Sequence, residues 1–437
     1  MIARRGLLIA LLLVAPGGCL RAPISTADTD AAAAETYVRL VLALGQHDPA
    51  FVDAYYGPAD WRTEAERAKL PVPEINKQAA VLEVDLRRLP PVPAGPDGDL
   101  LSLRRQYLAR QLNALRARAA MLQGRRFPFD EESRELYDAV APRHDEATFQ
   151  AVLDDVAARI GGSGDLAARY EAYRRAFVIP PDKLDVVFQA AIAECRRRTQ
   201  ANVTLPAGER FTVAYVTGKP WSAYNWYQGN FTSLIEVNTD LPVYVDRAID
   251  LACHEGYPGH HVYNALLEKT LVRERGWVEF SVYALFSAQS LIAEGSANYG
   301  IEVAFPAGER VEMERETLFP IAGLDAARAA QYYRVYDLIS RTGYAGNEAA
   351  RRYIDGAFTA EQATEWLTTY ALMEPARAQQ RVKFFDQYRS YVINYNLGKD
   401  LVRAYIEARG GTAEYPARRW AEFGALLSTP RLPSALI

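Results

Sequence analysis

Three of the chain's five histidines lie in one short segment, LACHEGYPGHHVY, at His254, His260 and His261. The residues before His254 are apolar and favour a helix, but a proline and a glycine follow within five positions. Proline lacks the N–H of a helical hydrogen bond, and glycine readily adopts non-helical dihedral angles. We therefore expect the chain to loop out between Gly256 and Gly259 before it returns a histidine towards His254.

A His-Glu pair on a helix is typical of H-E-x-x-H zinc enzymes, in which two histidines bind the metal and the glutamate activates its water. A two-residue loop restores that spacing at His260, whereas His261 needs three residues and would lie about 10 Å from His254 along a continuous helix. Two nitrogens bound to one zinc are at most about 4 Å apart. We predict Zn²⁺ as the cofactor, His254 and His260 as ligands and Glu255 as the general base. The alternative is a polar helix start with structural histidines.

The third ligand is predicted in the segment SLIAEGSANYGIE, within a helix expected over Phe280 to Val303. Glu294 follows an almost entirely apolar stretch, where a carboxylate is costly to bury unless it is paired or bound to metal. Asn298 lies one turn further on, and its amide oxygen could hold the ring of a ligating histidine. Gly295 has no side chain, which lets another helix approach closely. The alternative is that Glu294 forms an ordinary salt bridge.

Composition excludes several other classes of protein. With 49% hydrophobic and 24% charged residues the chain is globular rather than disordered or multi-spanning, and a net charge of -4 argues against nucleic acid as a partner. No G-x-S-x-G elbow, P-loop, G-x-G-x-x-G or C-x-x-C motif is present. Apart from a cysteine near the N-terminus, only Cys195 and Cys253 remain, so we expect buried free thiols rather than a disulfide framework.

The hydrophobic spacing predicts a mainly α fold. Apolar residues at helical intervals indicate one helix capped by Thr29 or Asp30 and ending at Gly45, and several others. The proline-rich segment Leu89 to Gly98 and the GGSG segment at Gly161 to Gly164 are expected to be loops. Strand-like alternation occurs only in Phe211 to Thr217 and Ser233 to Asn238, which predict a small hairpin or sheet before the metal helix.

The N-terminus predicts export. Two arginines precede an apolar run from Gly6 to Ala15, which is too short for a bilayer that needs roughly 20 residues. The run ends in PGGC, which is similar to a bacterial lipoprotein cleavage box. We expect residues 1–19 to be a signal peptide with Cys19 lipidated, and residues 20–437 to form a single large helical domain, either periplasmic or membrane-attached. Cleavage by the ordinary signal peptidase and an uncleaved anchor are the alternatives.

The segment HEGYPGHH, followed later by EGSANYGIE, resembles the bacterial family known as domain of unknown function 885, whose members resemble gluzincin metallopeptidases. The stretches YVRLVLALGQHDPAFVDAYYGP and RSYVINYNLGKD are also similar to that family. This resemblance implies a two-lobed, helical zinc peptidase fold around a deep channel, akin to thimet oligopeptidase, angiotensin-converting enzyme and carboxypeptidase Taq, with the ligands and base named above. The chain differs from the family at Ser296, where Trp is common, and at Tyr263, where Gln is common, which affects the expected substrate preference.

The resemblance also implies that RSYVINYNLGKD lies near the site. A tetrahedral oxyanion needs hydrogen-bond donors besides the metal. We predict Tyr395 as a catalytic donor, with Tyr391 one turn away and Arg389 close by as neighbours of the ligands or the substrate. His261 is expected to point to the channel or to lie beside the ligands, where it could bind substrate. The alternative for the tyrosines is packing of an amphipathic helix.

These residues predict a zinc-dependent hydrolase, in the first place a peptidase. The strand Ser233 to Asn238 either binds an extended peptide by strand addition or forms a small structural hairpin. The aromatic residues either line a subsite or pack in the core; they are Trp221, Tyr224, Trp226, Tyr227 and Phe231. Two other functions stay open: a zinc hydrolase of a non-peptide amide or ester, and a lipoprotein that binds metal or peptide without turnover. The expected partners are a peptide or small amide substrate, no nucleic acid, and a membrane only through an N-terminal lipid.

Overall fold

A computed structural model describes residues 26–436. The fold is mainly α-helical with two small sheets, which confirms the predicted fold class. The first half contains, in chain order, α1 (Thr26–Gly45), β1 (Val52–Tyr55), α2 (Ala59–Ala68), α3 (Val72–Arg87), α4 (Pro96–Leu122), α5 (Phe129–Tyr137), α6 (Glu146–Ile160), α7 (Leu166–Arg175), α8 (Leu184–Gln200), β2 (Arg210–Val216), β3 (Ala223–Gly229) and β4 (Thr232–Asn238).

The second half contains the predicted metal segment and most of the cavity walls. Its elements are α9 (Asp246–Leu251), α10 (His260–Leu267), β5 (Val282–Ala284), α11 (Ala288–Ala304), α12 (Glu309–Met313), α13 (Phe319–Ala322), α14 (Ala329–Ser340), α15 (Tyr344–Ile354), α16 (Ala360–Tyr370), α17 (Pro375–Tyr388), α18 (Ile393–Glu407) and α19 (Pro416–Leu427).

Two helix starts differ from the sequence prediction. Helix α1 begins before its expected caps, so Asp30 lies inside it, buried and paired with Arg105 at 2.7 Å. Helix α4 begins at Pro96, within the segment predicted to be a loop. Proline is favoured in the first turn of a helix, because the N–H that it lacks has no partner there. The GGSG loop lies between α6 and α7 as expected.

The larger sheet has three strands in the order β2–β4–β3. Strand β4 is parallel to β2 and antiparallel to β3, so β4 is the central strand. Strand addition at Ser233 to Asn238 is therefore a wrong prediction, because both edges of β4 are already paired. The small sheet before the metal helix is confirmed, but its edge strands are β2 and β3.

The segment predicted as one helix from Phe280 to Val303 divides into two elements. Strand β5 pairs antiparallel with β1, and the N–H of Leu285 donates to the carbonyl of Phe51 at 2.9 Å. Ser287 is extended, and α11 begins only after it. The pairing with β1 joins residues far apart in the chain, which periodicity within the segment does not reveal.

The core consists mainly of two large hydrophobic clusters. The first combines α1, α3, α4 and α5 with α15, α16 and α17, and the second combines α8, α9, α10, α14 and α19. Helix α11 contributes to both, since Leu291 lies in the first cluster and Ile292 in the second. A Cβ on Gly295 would lie 2.3 Å from the carbonyl carbon of Gly398, so α11 and α18 meet at two glycines. This confirms the close helix approach predicted at Gly295.

Within residues 26–436, no helix is both long enough and apolar enough to cross a bilayer. Cys195 and Cys253 are buried free thiols, as predicted. The signal segment and the lipidation site predicted at Cys19 lie outside the described residues.

Candidate metal centre

The chain leaves and re-enters helical structure between the two histidines of the predicted site. Helix α9 continues into a π-helical turn, Ala252–Gly256, and α10 begins at His260. A Cβ on Gly259 would lie 1.9 Å from the carbonyl oxygen of His254, so no side chain fits at this position. The loop expected between Gly256 and Gly259 is therefore present, and it brings the two imidazoles together edge to face, with ring centroids 4.7 Å apart.

Three potential ligand atoms form a compact triangle. The Nε2 atoms of His254 and His260 are 3.1 Å apart. Glu294 Oε2 lies 3.1 Å from the first of these nitrogens and 3.6 Å from the second. Ligand atoms about 2.0–2.1 Å from a tetrahedral zinc are about 3.3 Å from one another. The donor set and its spacing fit one zinc ion.

Glu294 is a buried carboxylate with one unsatisfied oxygen. The hydroxyl of Tyr391 donates to Oε1 at 2.7 Å, whereas Oε2 has no hydrogen-bond partner among the residues that the structure describes. Burial opposes its charge, but the adjacent His260 and His254 hold the pKa of Glu294 well below its usual range. An anionic oxygen that is buried without a donor is costly unless a cation is bound to it. The site is therefore suited to a cation.

Glu255 is the second carboxylate beside the histidines. One of its oxygens and a ring nitrogen of each of His254 and His260 all lie within 4.8 Å of one another. Burial raises the pKa of Glu255 above its usual value, and the side chain of Asn225 donates to its backbone carbonyl at 2.7 Å. Both glutamates could ligate on distance alone. Glu294 fits the ligand role better, because its free oxygen lies 3.1 and 3.6 Å from the two imidazole nitrogens.

Asn298 fixes the orientation of His254. Its Oδ1 lies 3.1 Å from His254 Nδ1, so an N–H at Nδ1 leaves the lone pair of Nε2 directed at the other ligand atoms. The side-chain amide of Asn298 also donates to the backbone carbonyl of Tyr395 at 3.1 Å. The predicted contact between the amide oxygen of Asn298 and a histidine is therefore present, and Asn298 also links α11 to α18.

The prediction for His261 is wrong. Its side chain is 1% exposed and does not line the cavity. Nδ1 lies 2.9 Å from Ser233 Oγ and Nε2 lies 3.0 Å from Glu209 Oε2. The hydroxyl of Tyr257 and the guanidinium of Arg196 also donate to Glu209, each at 2.5 Å. We call these five residues the Glu209 network; it holds the start of α10 against the three-stranded sheet.

The prediction for Arg389 is also wrong, because its guanidinium donates to Glu132 at 2.6 Å and does not line the cavity. Tyr395 does line the cavity, and its hydroxyl has no hydrogen bond to another described residue. Its ring centroid is 6.5 Å from that of His254. Burial raises the pKa of Tyr395 well above its usual value, so the hydroxyl keeps its proton. Tyr391 contacts Glu294 directly, as described above.

The site opens into a cavity of about 880 Å³, lined by side chains from both hydrophobic clusters. Strand β3 lies in one wall, and the unpaired edge of this strand is the one opposite β4. Helix α17 supplies another wall. Of the aromatic residues predicted to form a subsite, Trp221 and Tyr224 line the cavity, whereas Trp226, Tyr227 and Phe231 do not.

Two kinds of cavity residue were not predicted from the sequence. Asp53 on β1 accepts a hydrogen bond from Tyr224, and burial raises its pKa to about 6. Asp53 is the single acidic residue in the apolar, aromatic segment FVDAYY. The same feature, an acid in an apolar stretch, led to the prediction of Glu294 and could have identified Asp53. Arg377 and Arg381 on α17 also line the cavity. The sequence does not indicate that these two arginines line a cavity, because a helix rich in charged residues is usually exposed to solvent.

Comparison with known proteins gives distant similarities. No family model and no curated protein matches the chain. The chain is similar to the crystal structure of "the putative lipoprotein from Colwellia psychrerythraea", with 15% identity and a TM-score of 0.49 over 86% of this chain and 70% of that one. It is also similar to "a putative lipoprotein of unknown function from Shewanella oneidensis", with 13% identity and a TM-score of 0.41 over 87% and 78% of the two chains. Neither similarity is strong enough to bear on function, so the function is argued from the site.

Proposed function

We propose that this protein is a zinc-dependent peptidase of the gluzincin type, as its resemblance to the family domain of unknown function 885 implies. The observation that supports this most directly is the free Oε2 of Glu294, 3.1 Å from His254 Nε2 and 3.6 Å from His260 Nε2. An ordinary structural salt bridge would satisfy the carboxylate with N–H donors. Here two ring nitrogens converge on the same oxygen and on each other, which is the arrangement that a shared metal ion explains.

Zinc bound to these three residues would supply a Lewis acid and would lower the pKa of a coordinated water towards ~7. Glu255 is placed to accept a proton from that water and to return it to the leaving amine. Asn225, through its bond to the backbone of Glu255, fixes the position of this residue.

Tyr391 and Tyr395, near the start of α18, would have two different roles. Tyr391 donates to Glu294 Oε1 and so leaves only Oε2 for the metal. Tyr395 has a protonated hydroxyl without a partner in the cavity, so this group can donate to the oxyanion that forms on the substrate carbonyl. Asn298 holds the backbone of Tyr395 and the ring of His254 together, which couples the donor to the ligand.

A peptide is preferred as the substrate because of strand β3. Ala223, Tyr224 and Asn225 line the cavity, and the edge of the strand opposite β4 is not paired with another strand of the described residues. The backbone N–H and C=O groups of such an edge pair with an extended peptide by strand addition. A small amide or ester would use the same zinc ligands and Glu255 but would have no use for this edge.

The test is a digest of a peptide library by the purified, zinc-loaded protein, read by mass spectrometry together with elemental analysis. We expect close to one zinc per chain and cleavage that a chelator abolishes and added zinc restores, with Glu255→Gln as the inactive control. Cleavage of small amides or esters but not of peptides would favour the non-peptide hydrolase. A zinc-loaded protein without any turnover would favour the binding lipoprotein.

We also propose that the chain is exported and held at a membrane by lipid on Cys19. The apolar run and the PGGC sequence support this proposal. The mature protein should begin at Cys19 and fractionate with membranes, and Cys19→Ser should release it or block its processing. A wild-type protein that is free in the periplasm and begins after Cys19 would decide for ordinary cleavage.

A further inference from the structure

Helix α17 presents two arginines to the cavity, one turn apart, at Arg377 and Arg381. Neither has a carboxylate partner within residues 26–436. To the described part of the chain, Arg377 makes one side-chain hydrogen bond, to the backbone carbonyl of Pro242 at 3.2 Å, and the side chain of Arg381 makes none. Two like charges one turn apart repel each other, so this arrangement costs stability unless an anion binds between or beside them.

The surroundings of Arg381 are aromatic rather than acidic. Its guanidinium carbon lies 4.6 Å from the ring centroid of Phe384 and 5.5 Å from that of Tyr395, and its Nε is buried without a hydrogen bond. Burial lowers the pKa of Arg381 from its usual value. By contrast, acids elsewhere in the cavity wall are paired: Asp250 with Arg310 at 2.9 Å, and Glu302 with Lys399 at 2.6 Å.

A guanidinium has five N–H donors in a planar fork, and its usual partner is a carboxylate or a phosphate bound by two parallel hydrogen bonds. The guanidinium of Arg381 is held beside the rings of Phe384 and Tyr395, and it has no such partner among the described residues. Tyr395 is also the residue proposed as the oxyanion donor. We propose that Arg381, assisted by Arg377, binds a carboxylate of the substrate and so selects peptides with a carboxylate close to the scissile bond. This inference rests on the proposed peptidase function and specifies its substrate class.

Distances limit where that carboxylate lies. The guanidinium carbon of Arg381 is 5.5 Å from the Tyr395 centroid, which is 6.5 Å from the His254 centroid, so guanidinium and imidazole are no more than 12 Å apart. Each residue of an extended peptide spans at most about 3.3–3.6 Å. Part of the 12 Å is taken up by the contact of the guanidinium with the carboxylate and by the contact of the histidine site with the scissile carbonyl. The carboxylate therefore lies within one or two residues of the scissile bond. It is either the C-terminal carboxylate or an acidic side chain.

The experiment measures binding rather than turnover, in the Glu255→Gln protein, by calorimetric titration with and without zinc. The probes are Ala-Ala-Ala as the free acid, Ala-Ala-Ala as the C-terminal amide, and Ala-Ala-Glu as the C-terminal amide. The free acid should bind about 10-fold or more tightly than the Ala-Ala-Ala amide, the usual size of a lost hydrogen bond to a charged group. Adding Arg381→Met should reduce this ratio to about twofold or less. Tight binding of the Ala-Ala-Glu amide would assign the subsite to an acidic side chain.

Arg431→Met is the matched control. Arg431 also has a buried Nε without a hydrogen bond and lies 5.4 Å from the ring of Tyr405, but it does not line the cavity. This variant should keep the full preference for the free acid. Equal binding of all three probes, no binding of any probe, or a preference for a carboxylate-bearing probe that survives Arg381→Met would overturn the proposal. If Arg381→Met does not fold, the comparison of the three probes without that substitution still decides.

The outcomes separate this inference from the proposed function. A protein that prefers the free acid but cleaves no peptide when loaded with zinc would disprove the peptidase and retain the carboxylate subsite. A protein that cleaves peptides but binds all three probes equally would retain the peptidase and disprove the subsite.

Discussion

His260 and His261 are adjacent in the sequence, yet their imidazoles lie in two different polar clusters. The ring of His260 faces His254 and Glu294 at the floor of the cavity. The ring of His261 faces Ser233 and Glu209 beneath the sheet. Both clusters contain histidine, glutamate and tyrosine and both are buried, so residue type and burial alone do not separate a ligand site from a structural network.

The two clusters differ in how many hydrogen-bond donors surround the carboxylate of their glutamate. Glu209 accepts hydrogen bonds from Arg196, Tyr257 and His261, so a cation and two further donors surround its carboxylate. Glu294 has one hydroxyl donor, Tyr391, and its other oxygen faces two ring nitrogens. A buried carboxylate that its neighbours leave unsatisfied indicates a ligand from outside the chain, whereas a fully satisfied one indicates structure.

The largest effect should come from breaking the cluster of His260. We expect His260→Ala and Glu294→Ala to lose stoichiometric zinc and with it activity, because each removes one of three protein ligands. His261→Ala is the neighbouring control and should retain about one zinc per chain. Elemental analysis of folded variants measures this. Zinc loss in His261→Ala alone would reverse the assignment of the two histidines.

The next effect separates metal binding from proton transfer. Glu255→Gln should retain zinc and fold but lose about 10²–10⁴ in kcat, because glutamine matches the shape of glutamate and cannot accept the proton. The measurement pairs steady-state kinetics with zinc content in the same preparation. Wild-type turnover in a zinc-loaded Glu255→Gln protein would leave Glu255 without a catalytic role.

Local sequence signals predicted the features of the site that depend on a few neighbouring residues. The break at Gly259 follows from proline and glycine chemistry, and the chain re-enters a helix at His260. The polar interruption of an apolar helix indicated Glu294 and Asn298, and the structure brings both to His254. Gly295 indicated a close helix approach, which Gly398 completes.

Features that depend on distant partners were predicted wrongly or missed. Nothing near His261 in the sequence indicates that Glu209 and Ser233 would surround it. Pairing with β1 turns the start of the expected helix at Phe280 into strand β5. Arg381 resembles a solvent-exposed residue until the fold places α17 against the cavity. In each case the deciding contact is a tertiary one that local periodicity does not encode.

A smaller effect is expected at the contact between Asn298 and His254. Asn298→Ala should weaken zinc binding by about 10–100-fold without abolishing it, because the ring of His254 loses the acceptor that fixes its orientation. Competition with a chelator of known affinity measures the change. Asn225→Ala is a suitable control, since the side chain of Asn225 donates to the backbone of Glu255 and has no hydrogen bond to the proposed ligands. An unchanged zinc affinity in Asn298→Ala would show that the contact does not tune the site.

The smallest effect tests the Glu209 network through pH. Burial opposes the charge of Glu209, but His261, Tyr257 and Arg196 hold its pKa below the ordinary value of 4.5. Because the folded pKa is the lower one, ionised Glu209 stabilises the folded state fully above that ordinary value, and this stabilisation is lost as the pH falls towards the folded pKa.

Tyr257→Phe removes one donor and should cost about 0.5–1.5 kcal/mol at pH 7. It should also move the pKa of Glu209 closer to 4.5, so the difference in unfolding free energy between wild type and variant should shrink as the pH is lowered through this range. Denaturant unfolding of the zinc-free proteins at pH 7 and at pH 4 or below measures both effects without contribution from a bound metal. A difference that stays constant with pH would mean that the tyrosine stabilises the fold by packing alone, and that the charge of Glu209 does not depend on its hydroxyl.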